Sequence, residues 1–175
     1  LKEKHGYFMP NQFENPANVK AHYETTGVEI LEAMGGSFDA FVAGVGTGGT
    51  VTGVGRRLKE ANPAALVMAV EPKSSPLLSE GKAGSHKIQG IGANFVPSIL
   101  DRDLLDGIIA VEDEDAMKTA RLIGASEGIF CGISSGANVF AAIEIAKKLG
   151  KGKKVVTVLP DTGERYLSTA LFVGE

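Results

Sequence analysis

The glycines and threonines of the segment GVGTGGT, residues 44–50, have the types and spacing best suited to chemistry in this sequence. An apolar run precedes the segment and a helical pattern follows it, so we expect backbone amides and the positive end of a helix dipole to meet there. Thr47 and Thr50 add hydroxyl groups that donate to an anion. The segment therefore predicts a phosphate site, and the alternative is a turn that only packs a helix against a strand.

The same segment also fits a dinucleotide-binding loop. Gly44, Gly46 and Gly49 have G-x-G-x-x-G spacing. Glu71 ends the next predicted strand, where an acid that binds a ribose hydroxyl is expected. A nicotinamide-dependent dehydrogenase therefore stays open as an alternative at this point. A nucleoside triphosphate site is not indicated, because no P-loop lysine follows the glycines.

A second glycine-rich motif, GISSG at residues 132–136, has the G-x-S-x-G spacing of a hydrolase nucleophile elbow. In that fold the catalytic histidine follows the serine, whereas His5, His22 and His86 all precede it. Helix capping also explains the motif, because a serine hydroxyl accepts a hydrogen bond from the first amides of a helix. Capping by Ser134 or Ser135 is therefore the simpler interpretation, and a Ser-His pair assembled in another order stays open as an alternative.

The composition is that of an ordinary globular protein, with 43% apolar and 22% charged residues among 175 and a net charge of -3. This length fits a single domain, residues 1–175. The basic residues are scattered, so nucleic acid is not an expected partner. No apolar run approaches the roughly 20 residues of a membrane helix, so we expect no membrane association.

Cys131 is the single cysteine of the sequence, so the chain forms no internal disulfide. The sequence therefore predicts a cytoplasmic protein. The apolar neighbours of Cys131 and the lack of an adjacent histidine predict a buried structural thiol. No group of His, Cys, Asp and Glu has metal-ligand spacing, so no metal site is expected.

Strand and helix patterns alternate along the chain and predict an α/β fold, with a mostly parallel, twisted sheet between two layers of helices. Ligands of such a sheet bind outside the carboxyl ends of its strands. Residues 72–100 lack periodicity, which for so long a loop favours a functional segment. The predicted strands are 7–9, 38–43, 66–70, 108–111 and 155–159, and the predicted helices are 17–33, 50–61, 112–127 and 135–149.

Several stretches, taken together, resemble the cysteine synthases (O-acetylserine sulfhydrylases), a branch of the fold-type II pyridoxal-phosphate enzymes that also include cystathionine β-synthase. The resemblance covers nearly the whole chain, and the order and spacing of the stretches match the family. They are NQFENPAN at 11–18, VAGVGTGGT at 42–50, HKIQGIGA at 86–93, and GISSG at 132–136 together with GERYLST at 163–169.

The resemblance implies pyridoxal 5'-phosphate as cofactor and the large domain of the fold-type II architecture. It also implies that the serine matching Ser134 donates a hydrogen bond to the pyridine nitrogen. A hydroxyl donates without protonating that nitrogen, which weakens the ring as an electron sink and favours β-elimination. The residues implied to bind the cofactor are Gly46, Thr47, Gly48, Gly49, Thr50 and Ser134, and those implied to bind substrate are Gln12 and Gly90.

The resemblance further implies the synthesis of L-cysteine from O-acetyl-L-serine and sulfide, with a cystathionine β-synthase-type replacement as the alternative. The family's cofactor-carrying lysine belongs to an amino-terminal part that we expect to be missing here, because no lysine of this sequence lies in a matching motif. We therefore expect this chain alone to be inactive. The implied partners are a second copy in a homodimer and a serine acetyltransferase that docks near His86 and Lys87.

Overall fold

A computed structural model describes residues 2–173 and contains a four-stranded sheet in the order β3-β2-β1-β4. Every neighbouring pair of strands is parallel, and Ala40 of β1 lies between Leu66 of β2 and Val155 of β4. This confirms the predicted parallel sheet. The strands are β1 (Ala40–Gly44), β2 (Leu66–Pro72), β3 (Gly107–Val111) and β4 (Val155–Thr157).

Seven α-helices connect and flank the described strands. A π-helix, His22–Thr26, joins α2 to α3, and a 3-10 helix, Gly163–Tyr166, lies near the end of the described chain. The α-helices are α1 (Lys2–His5), α2 (Pro16–Ala21), α3 (Gly27–Ala33), α4 (Gly49–Ala61), α5 (Leu77–Glu80), α6 (Asp113–Glu127) and α7 (Ile133–Leu149).

The sheet is covered on both faces, as predicted for three layers. Side chains alternate along β1, so Ala40 and Val42 pack in the core beneath α6 and α7, whereas Phe41 and Ala43 pack in the core beneath α3 and α4. Burial on both faces is typical of a parallel strand. The chain therefore reads as apolar throughout this strand rather than alternating.

Two predicted elements differ from the structure. The strand predicted at 7–9 is wrong, because residues 6–10 have no regular structure and Phe8 is 88% exposed. A strand needs a neighbour for its backbone hydrogen bonds, and no described strand pairs with this segment. The helix predicted at 17–33 is interrupted by the π-helix, a feature that single-period pattern reading does not detect.

No helix in the described ranges is both long and apolar enough to cross a membrane.

Candidate functional site

A cavity of about 360 Å³ lies at the carboxyl ends of β1 and β4, where α4 and α7 begin. This is the edge of the sheet at which parallel α/β proteins bind ligands. Its lining combines amide-rich loop, hydroxyl, carboxamide, carboxylate and guanidinium groups. The lining residues are Ala43, Gly44, Gly46, Thr47, Thr50, Gly90, Ile91, Ser134, Asn138, Val158, Pro160, Asp161 and Arg165.

The loop before α4 offers several unused hydrogen-bond donors to this cavity. Gly48 has a φ of 82°, a left-handed conformation that suits glycine, and it turns the chain into the helix. The amides of Gly46, Thr47, Gly48 and Thr50 find no acceptor within residues 2–173. Unpaired amides at a helix N-terminus attract an anion, so the geometry supports the phosphate site predicted from the sequence.

Two glycines of this loop are required by the protein that packs behind it. A Cβ at Gly46 would lie 2.5 Å from the carbonyl oxygen of Gly90, and a Cβ at Gly49 would overlap the carboxamide of Asn18. The loop is therefore pressed against residues 90 and 18, which fixes its position before any ligand binds.

Ser134 lies in the first turn of α7 and is only 3% exposed. Its hydroxyl has no hydrogen-bond partner among the described residues, and a Cβ at Gly90 would lie 3.5 Å from it. The alternative interpretation as a capping residue does not hold, because the N-cap of α7 is Gly132 and its end has no side-chain cap. The Ser135 hydroxyl instead donates to the Asp161 carbonyl at 3.5 Å. Ser134 is thus available to a ligand.

Gln12 and Gly90 border an adjoining cavity of about 300 Å³. Gly46 and Thr47 line both cavities, so the two spaces form one site. The Gln12 side chain is exposed at the rim, where its amide has room to meet a ligand. Six of the eight site residues named from the sequence line these two cavities, and Gly48 and Gly49 complete the loop between Thr47 and Thr50.

Asn138 is a cavity residue that sequence reasoning missed. It is 2% exposed; its Oδ1 accepts from the Gly44 amide at 2.8 Å, and its Nδ2 donates to the Val158 carbonyl at 2.9 Å. Asn138 therefore ties α7 to the ends of β1 and β4. The available signal was a carboxamide one helical turn after Ser134 in an otherwise apolar helix.

Asp161 is a second missed residue. Its Oδ1 is buried without a partner within residues 2–173, and its Oδ2 accepts a short hydrogen bond from the Tyr166 hydroxyl. Burial, followed by this hydrogen bond to a carboxylate, raises the pKa of Tyr166 to about 12. Tyr166 therefore stays protonated as a donor to Asp161, whose other carboxylate oxygen lies against Gly132.

The residues that suggested other chemistries have structural roles. Buried Glu71 accepts from the Leu78 amide at 2.7 Å and from Ser79, so it caps α5 and is not free to bind a ribose. Cys131 is buried as predicted, and burial raises the pKa of its thiol.

The three histidines also bond away from Ser134. His22 contacts Thr26 and Thr50, His86 contacts the Gly92 carbonyl, and His5 stacks on Tyr7. In the described ranges no three His, Cys, Asp or Glu residues are arranged to hold a metal ion.

A larger open groove of about 960 Å³ lies elsewhere and is a poorer candidate. Both of its basic side chains are paired with acidic side chains of the same groove: Arg56 with Asp101 at 2.8 Å, and Lys20 with Glu24 at 3.7 Å. Exposed pairs of this kind contribute little binding energy. We therefore take the smaller cavity as the functional site.

Comparison with known proteins identifies the family of the chain. A family model described as "Pyridoxal-phosphate dependent enzyme" matches residues 1–161. A cysteine synthase of Staphylococcus aureus (strain Mu50 / ATCC 700699) is 56% identical over 173 residues, which are 98% of this chain and 56% of that protein.

Solved structures show the same relationship. An O-ureido-L-serine synthase superposes with a TM-score of 0.95 at 48% identity, over 99% of this chain and 55% of the other. O-acetylserine sulfhydrylase isoform 3 of Entamoeba histolytica superposes with a TM-score of 0.95 at 45% identity, over 99% of this chain and 52% of the other. The chain thus spans a little over half the length of the proteins it matches.

Proposed function

The chain belongs to the family of pyridoxal-phosphate-dependent enzymes, and from this premise we propose that it is the phosphate-binding part of a cysteine synthase. The complete enzyme would make L-cysteine from O-acetyl-L-serine and sulfide. The observation that carries the proposal is one cavity lined both by Gly46, Thr47 and Thr50, whose amides are unpaired, and by Ser134, whose hydroxyl is free. The similarity of the chain to a cysteine synthase and to an O-acetylserine sulfhydrylase favours this reaction over cystathionine synthesis or nicotinamide-dependent dehydrogenation.

The residues present fit pyridoxal phosphate. Four unpaired amides and the hydroxyls of Thr47 and Thr50 suit a phosphate group, which accepts several hydrogen bonds at once. The Ser134 hydroxyl, across the same cavity, suits a pyridine nitrogen. The combined volume of the two adjoining spaces, about 360 and 300 Å³, is in the range of small-molecule sites.

The roles of the chain's residues follow from their chemistry. Bound pyridoxal phosphate would withdraw electrons from the substrate's α-carbon. Residues 46–50 would hold its phosphate, and Ser134 would donate one hydrogen bond to its ring nitrogen without transferring the proton. At the rim, the Gln12 amide would donate to the substrate carboxylate and fix its orientation. Gly90, whose φ is 96°, leaves room beside the Ser134 hydroxyl for the ring.

The remainder of the enzyme would supply the other half of the site. We propose that the 175 residues form one domain, and that a segment outside them carries the lysine that binds the cofactor covalently. This fits the share of the relatives' length that the chain covers, 56% of the Staphylococcus aureus cysteine synthase. It also fits the lining of the main cavity, which includes an arginine but no lysine among the described residues.

The experiment that tests the phosphate site is an NMR titration of the 15N-labelled chain with inorganic phosphate and then with pyridoxal phosphate. We expect the amides of residues 46–50 to shift first. Gly46→Ala should weaken binding by about tenfold, because the new methyl group displaces the loop from the Gly90 carbonyl. Gly124→Ala in α6 is the matched control, since only one atom lies within 4 Å of its added Cβ. Shifts confined to another surface would contradict the proposed site.

A second expected result concerns the ring contact. Ser134→Ala should leave pyridoxal phosphate bound, with an affinity loss of no more than about tenfold, but should move its absorption band. The reason is that one hydrogen bond to the ring is lost while the phosphate donors remain. Ser135→Ala is the control, because that hydroxyl donates to the Asp161 carbonyl instead. An absorption band that moves in Ser135→Ala and not in Ser134→Ala would show that Ser135, and not Ser134, contacts the ring.

The proposed partners are a second copy of the enzyme and a serine acetyltransferase. Lys87 is exposed three residues before Gly90, which lines the site, and His86 contacts the Gly92 carbonyl at 3.0 Å. An acidic segment of the acetyltransferase would find a cation at this rim. Co-sedimentation with and without Lys87→Glu tests the contact, and sedimentation of the enzyme alone tests the dimer.

A single buried thiol fits the reducing cytoplasm, which we propose as the location.

A further inference from the structure

Thr47 has both of its acceptor positions filled by the protein. Its Oγ1 accepts from the Asn18 side-chain amide at 3.1 Å and from the Gly49 backbone amide at 3.2 Å. A hydroxyl has two acceptor lone pairs and one proton. With both lone pairs used, the proton of Thr47 points elsewhere, and Thr47 lines the cavity. The protein thus orients this hydroxyl as a donor to a ligand.

The orientation of Asn18 is itself fixed. Its Nδ2 also donates to the Gln12 carbonyl at 2.9 Å, and a carbonyl only accepts, so the amide nitrogen must face this side. A Cβ at position 49 would overlap the Asn18 carboxamide. Glycine at this position therefore allows Asn18 to pack directly against the loop. Asn18 therefore donates to Thr47 and is not free to turn around.

His22 follows Asn18 by one helical turn and contacts the other loop threonine. Its Nε2 lies 3.1 Å from Thr50 Oγ1, and its Nδ1 lies 3.0 Å from Thr26 Oγ1. Partial burial lowers the pKa of His22, which favours the neutral ring and hence one of two tautomers. With the proton on Nε2, His22 donates to Thr50 and leaves the Thr50 proton for a ligand. With the proton on Nδ1, the His22 Nε2 instead accepts a hydrogen bond from the Thr50 hydroxyl, so the Thr50 proton is not available to a ligand.

The close approach that makes this contact depends on the helices behind the loop. A Cβ at Gly53 of α4 would lie 2.6 Å from the Val19 carbonyl and 2.7 Å from the His22 Cβ. Only glycine lets α4 pack so closely against the π-helix that begins at His22. π-Helical turns often occur at functional sites. Here the turn brings the imidazole within hydrogen-bond distance of the loop.

We propose that Asn18 and His22 are positioning residues that aim the hydroxyl protons of Thr47 and Thr50 at a bound phosphate group, with His22 held as the Nε2–H tautomer. This inference rests on the proposed function, because it assigns a mechanism to the same phosphate site. Neither residue lines the cavity itself; both act through the threonine hydroxyls. An anion at the loop selects the tautomer, because it accepts the Thr50 proton and leaves only the Thr50 lone pairs to face His22.

The test is the tautomer of His22 in the native 175-residue chain, read from long-range 1H–15N correlations of the histidine rings. The measurement is made near pH 8, with and without inorganic phosphate and then with pyridoxal phosphate. The His22 signal is assigned by its absence in His22→Gln. We expect the loaded chain to carry the proton on Nε2. A proton on Nδ1 in the phosphate-loaded chain would overturn the inference.

Two variants add an affinity readout. His22→Leu removes the donor to Thr50 and should weaken phosphate binding by about tenfold. His22→Gln keeps a side-chain amide that is able to donate to Thr50, so it should recover most of that loss. Equal losses in the two variants, with both chains folded, would show that His22 only fills space.

The failures of the two proposals are distinguishable. If the loop amides respond to phosphate while His22 carries its proton on Nδ1, the positioning role fails and the phosphate site stands. If the loop amides respond to neither phosphate nor pyridoxal phosphate, both proposals fail.

Discussion

Gly136→Ala is expected to destabilise the chain by about 3 kcal/mol. Gly136 lies in α7, and a Cβ there would overlap the Ala116 carbonyl oxygen and lie 2.8 Å from the Ala120 backbone nitrogen. Both atoms belong to the backbone of α6, so the helices must separate to admit the methyl group. The better helix propensity of alanine, about 1 kcal/mol, offsets only part of this cost. Because α7 also carries Ser134, the variant should bind pyridoxal phosphate less tightly.

Gly124→Ala is the matched control in the facing helix. Its Cβ would meet only the Ile129 carbonyl, at an ordinary 3.8 Å, so the propensity gain should appear unopposed as about 1 kcal/mol of added stability. Urea unfolding of both variants, followed by circular dichroism, measures the two free energies. Destabilisation by Gly124→Ala, or none by Gly136→Ala, would mean that close contact between α6 and α7 is not what requires glycine at 136.

The second large expected effect is that the 175-residue chain has no turnover even when it binds the cofactor. Supplied with pyridoxal phosphate, O-acetylserine and sulfide, the 175-residue chain is expected to form no cysteine above the uncatalysed rate. We propose that donors in the cavity hold the phosphate and that one hydroxyl faces the ring, but no lysine lines the cavity among the described residues. Without an amine there, the chain has neither the covalent anchor nor the base that the family's reaction needs.

The assay measures cysteine directly, with a complete cysteine synthase in parallel to show that the reagents are competent. Borohydride reduction followed by mass spectrometry then detects any covalent adduct between a lysine and the cofactor. Spectral shifts of pyridoxal phosphate report binding in the same samples. Cysteine production, or one specifically modified lysine in this chain, would show that the chain contains its own anchor.

The class of fold and a candidate position for the site could be predicted from local features of the sequence. Apolar runs such as residues 66–70 and helical patterns such as 112–127 are local signals, and the structure places a strand and a helix there, Leu66–Pro72 and Asp113–Glu127. Parallel pairing follows from their alternation, which also predicts ligands at the carboxyl edge of the sheet. The glycine loop and Ser134 were identified because motif spacing is local as well.

The roles of the remaining polar residues depend on contacts between distant parts of the chain. Asn138 bonds to Gly44, 94 positions away, and Asn18 bonds to Thr47, 29 positions away. Glu71 has the sequence position of a ribose-binding acid, but its carboxylate accepts a hydrogen bond from the Leu78 amide and so caps α5. A side chain's partners depend on which elements meet, and a one-dimensional pattern does not contain those distances. The same reason explains why the strand predicted at 7–9 is wrong. These residues favour a strand, but no described strand lies beside them to pair with.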